Sequence, residues 1–348
     1  MSSPVPVWPA RRLRLDIEVV RGAIVESRHR VQAAVVGPLG EPFAATEEPA
    51  LVTSFRSAAK PFQLLPFVER GYAERFRLTE EHLAVMAASH TGSAEHVALV
   101  TEILERLGLS DRHLACGVHD PLDADSLARL RAQPELRSPL YNNCSGKHAG
   151  MLGLALAEGW PTGGYELPDH PVQRLMRETV AAVCGVPAAS LTLGVDGCSV
   201  SVFGLPLTAM ARGYARFASA SPSGDARERA LARIRAAMQR HPRLTGGAQR
   251  FSTVLMETDP RFVAKGGAEG LECLGLESRA LGFAIKVEDG HARAVAPAVL
   301  GLLEVCELIG PAAAGPLASW ASPELRNHAG RVTGALRVRM EALAPYPS

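Results

Sequence analysis

Strand-forming runs sit at both ends of this chain, and a long helical middle separates them. Residues 14–20, 22–27 and 31–37 alternate or carry β-branched side chains, and GPLGEP (37–42) follows as a turn. RVTGALRVRM (331–340) has the same character near the other end. A strand with unpaired N–H and C=O groups is not stable alone, so both ends must pair with other strands. The arrangement that satisfies them is a mixed α/β domain whose termini meet in one largely antiparallel sheet flanked by helices. That single domain is expected over residues 12–345, after a loose Pro-rich lead at 1–11.

Between the ends, PFQLLPFVERG (61–71), TEEHLAVMAAS (79–89), AEHVALVTEILERLG (94–108) and HPVQRLMRETVAAVCG (170–185) carry apolar residues at helical spacing. DARERALARIRAAMQRH (225–241) is the clearest amphipathic helix, with arginines on its wet face. SLTLGVDG (190–197) and SVSVFGLPL (199–207) return to strand. ALGFAIKVEDGHARAVAP (280–297) reads as a hairpin around Asp289-Gly290, followed by a helix over 296–308.

Net charge is +1 and aromatic content 5%, so neither the electrostatics nor the stacking surface for nucleic acid is present. The N-terminal segment has no apolar core of a secretory signal, and the longest apolar run, AVAPAVLGLLEV (294–305), is too short to span a bilayer. The expectation is a cytoplasmic protein without membrane partners. There, the six cysteines serve packing, metal or redox roles rather than disulfides.

Lysine is scarce: four residues, Lys60, Lys147, Lys265 and Lys286, against thirty-three arginines. A guanidinium stays charged inside a protein, whereas a buried amine can lose its proton. A chain that otherwise writes arginine retains lysine where the free amine matters. In FRSAAKPFQ (55–63) Ser57 and Lys60 stand at i and i+3, the spacing of a serine nucleophile and its lysine base. The base must fall from about 10.4 to about 7–8, on the order of 4 kcal/mol supplied by burial and a neighbouring cation. The same spacing also fits Ser57 capping a helix with Lys60 in solvent. Pro61 disfavours α conformation at Lys60 and points to a 3₁₀-like turn. AASHTG (87–92) adds Ser89 and His90, and FVAKGGAEG (262–270) adds Lys265, in the order used by acyl-serine enzymes of the β-lactamase type. The pairs would be Ser57 with Lys60 and Ser89 with Lys265.

YNNCSGKHAGM (141–151) places Cys144, Lys147 and His148 at i, i+3 and i+4, and GVDGCS (194–199) puts Cys198 on a glycine-bounded turn. Two thiolates and one nitrogen, with a fourth position open to water, make an accessible zinc site. By residue chemistry the nitrogen is His148, because a lysine must be deprotonated to bind metal. Two buried cysteines with unrelated neighbours fit the spacing as well. Cys116 and His119 in CGVHDP (116–121) read as a structural turn.

SFRSAAKPFQ (54–63), ASHTG (88–92), CGVHDP, NNCSGKHAGML (142–152), LPDHPVQ (167–173), GVDGC (194–198) and IKVEDG (285–290), in this order, resemble the rhizobial-type L-asparaginases, the asparaginase II family. The resemblance implies a serine β-lactamase/glutaminase-like fold, a homodimer, and hydrolysis of L-asparagine to L-aspartate and ammonia. It makes Ser57, Lys60, Ser89 and Lys265 catalytic. It assigns zinc to Cys144, Lys147 and Cys198, with lysine replacing His148 as the nitrogen ligand. Asp196 and His148 become residues that orient ligands or waters. Arg56, His90 and Asn143 are the substrate-binding candidates; Arg56 would pair with the α-carboxylate, and a surface role fits it equally. The alternative is an amidase or glutaminase whose nucleophile is zinc hydroxide.

Overall fold

The computed structural model describes residues 11–312 and 315–344. The expected lead at 1–11 lies outside them apart from Arg11, which opens the first strand. Strands follow in chain order as β1 (Arg11–Arg21), β2 (Ile24–Val36), β3 (Pro42–Ala45), β4 (Val52–Ser54), β5 (Thr192–Val195), β6 (Ser201–Pro206) and β7 (Phe262–Gly266), then β8 (Leu271–Leu276), β9 (Leu281–Val287), β10 (Glu324–Arg326) and β11 (Val332–Ala342). Eight of them form one sheet in the order β10-β11-β1-β3-β2-β9-β8-β7. β1 pairs antiparallel with β11, Ile17 opposite Val338, and with β2, Ile17 opposite His29. β2 pairs antiparallel with β9, and only the short β1–β3 contact among the described pairs is parallel. The chain ends do meet in one largely antiparallel sheet.

Two corrections concern the ends. The runs at 22–27 and 31–37 are halves of one strand, β2, after the turn at Gly22 (φ +58°). Its polar middle, which read as a break, continues the ladder because β1 supplies charge partners: Arg28 donates to Glu18 at 3.1 Å and Arg30 to Asp16 at 2.9 Å. The expected hairpin at Asp289-Gly290 is a turn after β9 that leads through a 3₁₀ turn into the helix Val295–Val305; the ladder partners of β9 are β2 and β8.

The described chain separates into two compact units. The first takes in the described residues up to Thr53, Leu205–Ser219 and the described residues from Ala264 onward, and holds the large sheet. Every residue of β9 is buried, because the helices Leu207–Ser219 and Val295–Val305 both pack on it. Each fully buried Leu, Ile, Val or Phe there contributes roughly 1.5–3 kcal/mol. The second unit takes in Ser54–Gly204 and Ala220–Val263 and is mainly helical. At its centre the helix Lys60–Glu69 is buried from Lys60 to Val68, against the helices Ser145–Glu158, Pro171–Cys184 and Ala226–Arg240. Gly146, Gly150 and Gly153 recur at i, i+4 and i+7 along Ser145–Glu158 and so share one face. A Cβ at Gly146 would stand 2.2 Å from the Val85 carbonyl oxygen, so only glycine lets this helix approach the helix Glu80–Met86 so closely. Among the described residues no helix is long and apolar enough to cross a membrane.

Candidate active site

Lys60 begins its helix with Pro61 in the first turn, where a missing N–H costs nothing. The residues before it, Arg56–Ala59, form the expected 3₁₀ turn, and Lys60 itself is α-helical at φ −57°, ψ −40°. The turn is anchored by the Phe55 N–H, which donates to the Phe203 carbonyl at 2.8 Å. Arg56 sits in the left-handed region at φ +46°, a conformation that costs a non-glycine residue about 1–2 kcal/mol. Its guanidinium Nε bonds Asp196 at 3.1 Å, so the candidates for substrate carboxylate binding and for ligand orientation are paired with each other.

The Lys60 side chain is 1% exposed. Its Nζ reaches the Ala88 carbonyl at 2.6 Å, the Ser89 hydroxyl at 2.8 Å and the Asn143 carbonyl at 3.1 Å. Ser57 is not among these partners; it stands half-buried in the turn before the helix. The expected Ser57–Lys60 hydrogen bond is replaced by one to Ser89, because the lysine side chain runs inward from the helix start rather than back over its own turn. Two of the three partners are carbonyls, which only accept, so they fix two N–H directions. The third position faces a hydroxyl, which can accept from an ammonium or donate to an amine. Cys144 also bonds the amine and favours its charged form. Burial holds its pKa below the ordinary lysine value, opposed by Cys144 and reinforced by the Lys147 charge.

Lys147 and Cys144 lie on or next to the helix Ser145–Glu158, and Cys198 lies on the loop between β5 and β6. All three are 4% exposed, and Lys147 Nζ is 3.1 Å from Cys198 Sγ. The loop is tight: the Asp196 N–H bonds the Val200 carbonyl at 2.9 Å, and Ser199 takes φ +74°. Cys144 is held well below the usual thiol range by a hydrogen bond from Cys198, against the effect of burial and with help from Lys60 and Lys147. Cys198 is pushed up by that same bond and by burial. For Lys147, burial pulls the pKa down, but the charges of Cys144 and Cys198 outweigh it and raise it.

Two thiolates and an amine suit zinc. Bond lengths of about 2.3 Å to sulfur and about 2.0–2.1 Å to nitrogen separate tetrahedral ligands by about 3.5 Å, close to the lysine–cysteine spacing here. Among the described residues no three His, Cys, Asp or Glu side chains gather to hold a metal, so a site here depends on Lys147. His148, the first candidate by residue chemistry, is fully buried and its Nδ1 pairs with the Tyr165 hydroxyl at 2.6 Å. Its Nε2 is buried without a partner among the described residues.

His90 is fully buried, and burial keeps its pKa well below the usual histidine range. Its Nδ1 accepts from the Gly92 N–H at 3.1 Å, and its Nε2 pairs with the Ser145 hydroxyl at 2.9 Å, so both ring nitrogens are committed. Lys265 belongs to the other unit. It is 4% exposed on β7, and its Nζ donates to the Gly266 carbonyl at 3.1 Å. Sequence reasoning missed Tyr165, which accepts from the Ala115 N–H at 2.8 Å while holding His148, and it missed Asn142. The doubled asparagine before Cys144 was the available signal for the second.

The family described as L-asparaginase II matches residues 17–338. A search of curated proteins gives no match. Among solved structures, the chain is similar to a crystal structure of Mglu at 14% identity and TM-score 0.37, covering 80% of this chain and 67% of that one. Mglu in its native form is similar at 17% identity and TM-score 0.38, covering 81% and 66%. Mglu in its tris and glutamate form is similar at 14% and 0.37, covering 84% and 63%. The chain thus spans about two thirds of the length of those chains.

Proposed function

Because this chain belongs to the L-asparaginase II family and is an amidohydrolase, we propose that it hydrolyses L-asparagine to L-aspartate and ammonia with a serine nucleophile and Lys60 as base. The observation that carries this reading is the buried Lys60 amine, its pKa lowered by desolvation, 2.8 Å from the Ser89 hydroxyl.

Ser57 is the proposed nucleophile: it is half-buried rather than enclosed, and it sits at the positive end of the Lys60–Glu69 helix. As its oxygen adds to the side-chain amide carbon, its proton passes to Lys60, with Ser89 as the relay. Backbone N–H groups at this helix start would receive the developing oxyanion. The carbon–nitrogen bond then breaks, the nitrogen takes up the proton, and ammonia leaves a β-aspartyl ester on Ser57. Water, losing a proton to the same amine, cleaves the ester to aspartate and restores the hydroxyl.

Cys144, Lys147 and Cys198 would hold zinc, which when bound supplies a fixed positive charge for orienting polar groups of the substrate. Lys147 must give up its proton on binding, and Asp196 keeps Arg56 beside the ligand loop. A second reading makes Ser89 the nucleophile, favoured by its direct bond to Lys60. A homodimer belongs to the proposal too, and light scattering in solution checks it.

The test is ammonia release from asparagine and glutamine by the Ser57→Ala, Ser89→Ala and Lys60→Met variants. Mass spectrometry of denatured, turning-over enzyme would look for the acyl group. The expected result is loss of the adduct in S57A, its retention on Ser57 in S89A, and loss of turnover in K60M. An adduct on Ser89 supports the second reading. Full activity in K60M would discard both.

A further inference from the structure

The motif CGVHDP and the doublet Asn142-Asn143 are bound to one another, and the chemistry above uses neither motif's purpose. Asn142 Nδ2 donates to the carbonyls of Cys116 at 2.8 Å and Gly117 at 3.0 Å, while its Oδ1 accepts the Cys144 N–H at 2.9 Å. The loop is also seated on the segment after Ser89: the Asp123 N–H bonds the Thr91 carbonyl at 2.9 Å. A Cβ on Gly92 would stand 2.8 Å from the Tyr141 carbonyl oxygen and 3.0 Å from Pro121.

His119 closes this clamp, and its tautomer follows from its partners. Nδ1 lies 2.7 Å from the Asp120 carbonyl, which only accepts, so Nδ1 carries the hydrogen. Nε2 lies 3.0 Å from the Asn143 N–H, which only donates, so Nε2 offers a lone pair. The Asn143 Oδ1 stands farther from the same nitrogen, at 3.4 Å, and exchanging the amide's O and N would turn its NH2 group to that lone pair. His119 is therefore neutral in this arrangement. Asn143 is held from both sides: its N–H by His119, and its carbonyl by the Lys60 amine at 3.1 Å.

We propose that His119 is a positioning residue for Lys60, acting as an acceptor that works only when unprotonated. While neutral, the imidazole fixes Asn143, and the Asn143 carbonyl steers one Lys60 N–H so that the third position of the amine faces Ser89. A proton on Nε2 turns the acceptor into a donor facing a donor. The Asn143 N–H is expelled and the carbonyl loses its aim. The charged and titratable groups around the ring are Asp120, engaged by Arg137 at 2.6 Å, together with Lys60 across Asn143 and the buried His90. This inference rests on Lys60 being the base.

The experiment compares His119→Gln and His119→Leu with the unmodified protein, measuring kcat and KM for asparagine across pH, with thermal midpoints alongside. Glutamine places an acceptor near the Nε2 position and does not titrate; leucine offers no acceptor. H119L should lose about ten- to a hundred-fold in kcat with KM within about two-fold, since one misaimed contact at a catalytic group costs this much. H119Q should stay within about three-fold of the unmodified kcat at neutral pH and lack one acid-side titration that the unmodified enzyme shows. H119Q as impaired as H119L, or both unchanged with the same acid limb, would overturn the proposal. Nitrogen NMR of the unmodified protein supplies a mutation-free check, in which an Nε2–H tautomer at His119 also overturns it. Lys60→Met is the reference: if it stays active, the underlying reading fails, whereas a dead K60M beside normal His119 variants refutes the positioning role alone.

Discussion

Substituting Gly146 by alanine tests whether the site depends on the spacing of two helices. The added Cβ would lie 2.2 Å from the Val85 oxygen and 2.8 Å from the Val85 carbonyl carbon. These are backbone atoms of the helix Glu80–Met86, so no side-chain rotation relieves the overlap. Restoring van der Waals contact requires about 1 Å of separation between the helices. Alanine's better helix propensity returns about 1 kcal/mol, against about 1–3 kcal/mol for overpacking, leaving a net destabilisation of up to about 2 kcal/mol. That corresponds to several degrees in Tm at about 2–4 °C per kcal/mol. The functional effect should be larger. Gly146 adjoins Lys147, and the Glu80–Met86 helix leads directly into Ala88 and Ser89, two partners of Lys60. A 1 Å shift between them costs about 10²-fold in rate. Thermal melting and ammonia release are measured on Gly146→Ala beside Gly163→Ala, whose added Cβ meets nothing within 4 Å and which should match the unmodified protein. A G146A protein with unchanged Tm and unchanged kcat would refute the argument that this approach sets the site.

Replacing Lys147 by arginine should abolish zinc uptake, because a guanidinium has no lone pair to give; metal analysis after dialysis against zinc reads the outcome, and retained stoichiometry contradicts the ligand assignment. His82, His90 and His96 all have pKa values lowered by burial, so the unfolded chain takes up protons that the folded chain refuses. Their contribution to stability is complete above about pH 6.5 and is lost as the pH falls from there. Urea midpoints should be lower at pH 5 than at pH 8, and equal midpoints would sink the point. Glu18, with its pKa lowered first by the Arg337 hydrogen bond and further by Arg28, against desolvation, contributes above about pH 4.5 and fades below it. Glu18→Gln should flatten the acid limb of a stability profile in that lower range, and an unchanged limb would show that the arginines do not depend on this carboxylate.

Local chemistry made much of this protein legible before folding. The apolar spacing of residues 225–241 becomes the helix Ala226–Arg240, whereas Lys60 is α-helical although Pro61 follows it, because it opens the helix and Pro61 stands in the first turn. The charged middle of β2 misled because its partners, Asp16 and Glu18, lie on another strand. Asp289-Gly290 is a genuine turn signal, but whether a turn closes a hairpin depends on what β9 pairs with, and that is β2 and β8.

What the amino-acid order determined on its own is the inventory: lysine where arginine would not serve, cysteines at ligand spacing, serines near helix ends. Spacing along a helix is a property of the backbone and travels with the chain. Tertiary structure alone decided the connections, giving Lys60 to Ser89 rather than Ser57, Arg56 to Asp196, and Asn143 to His119. The reason is that a hydrogen bond needs about 3 Å and a direction, and for groups 24 to 140 residues apart only the packed interior supplies both.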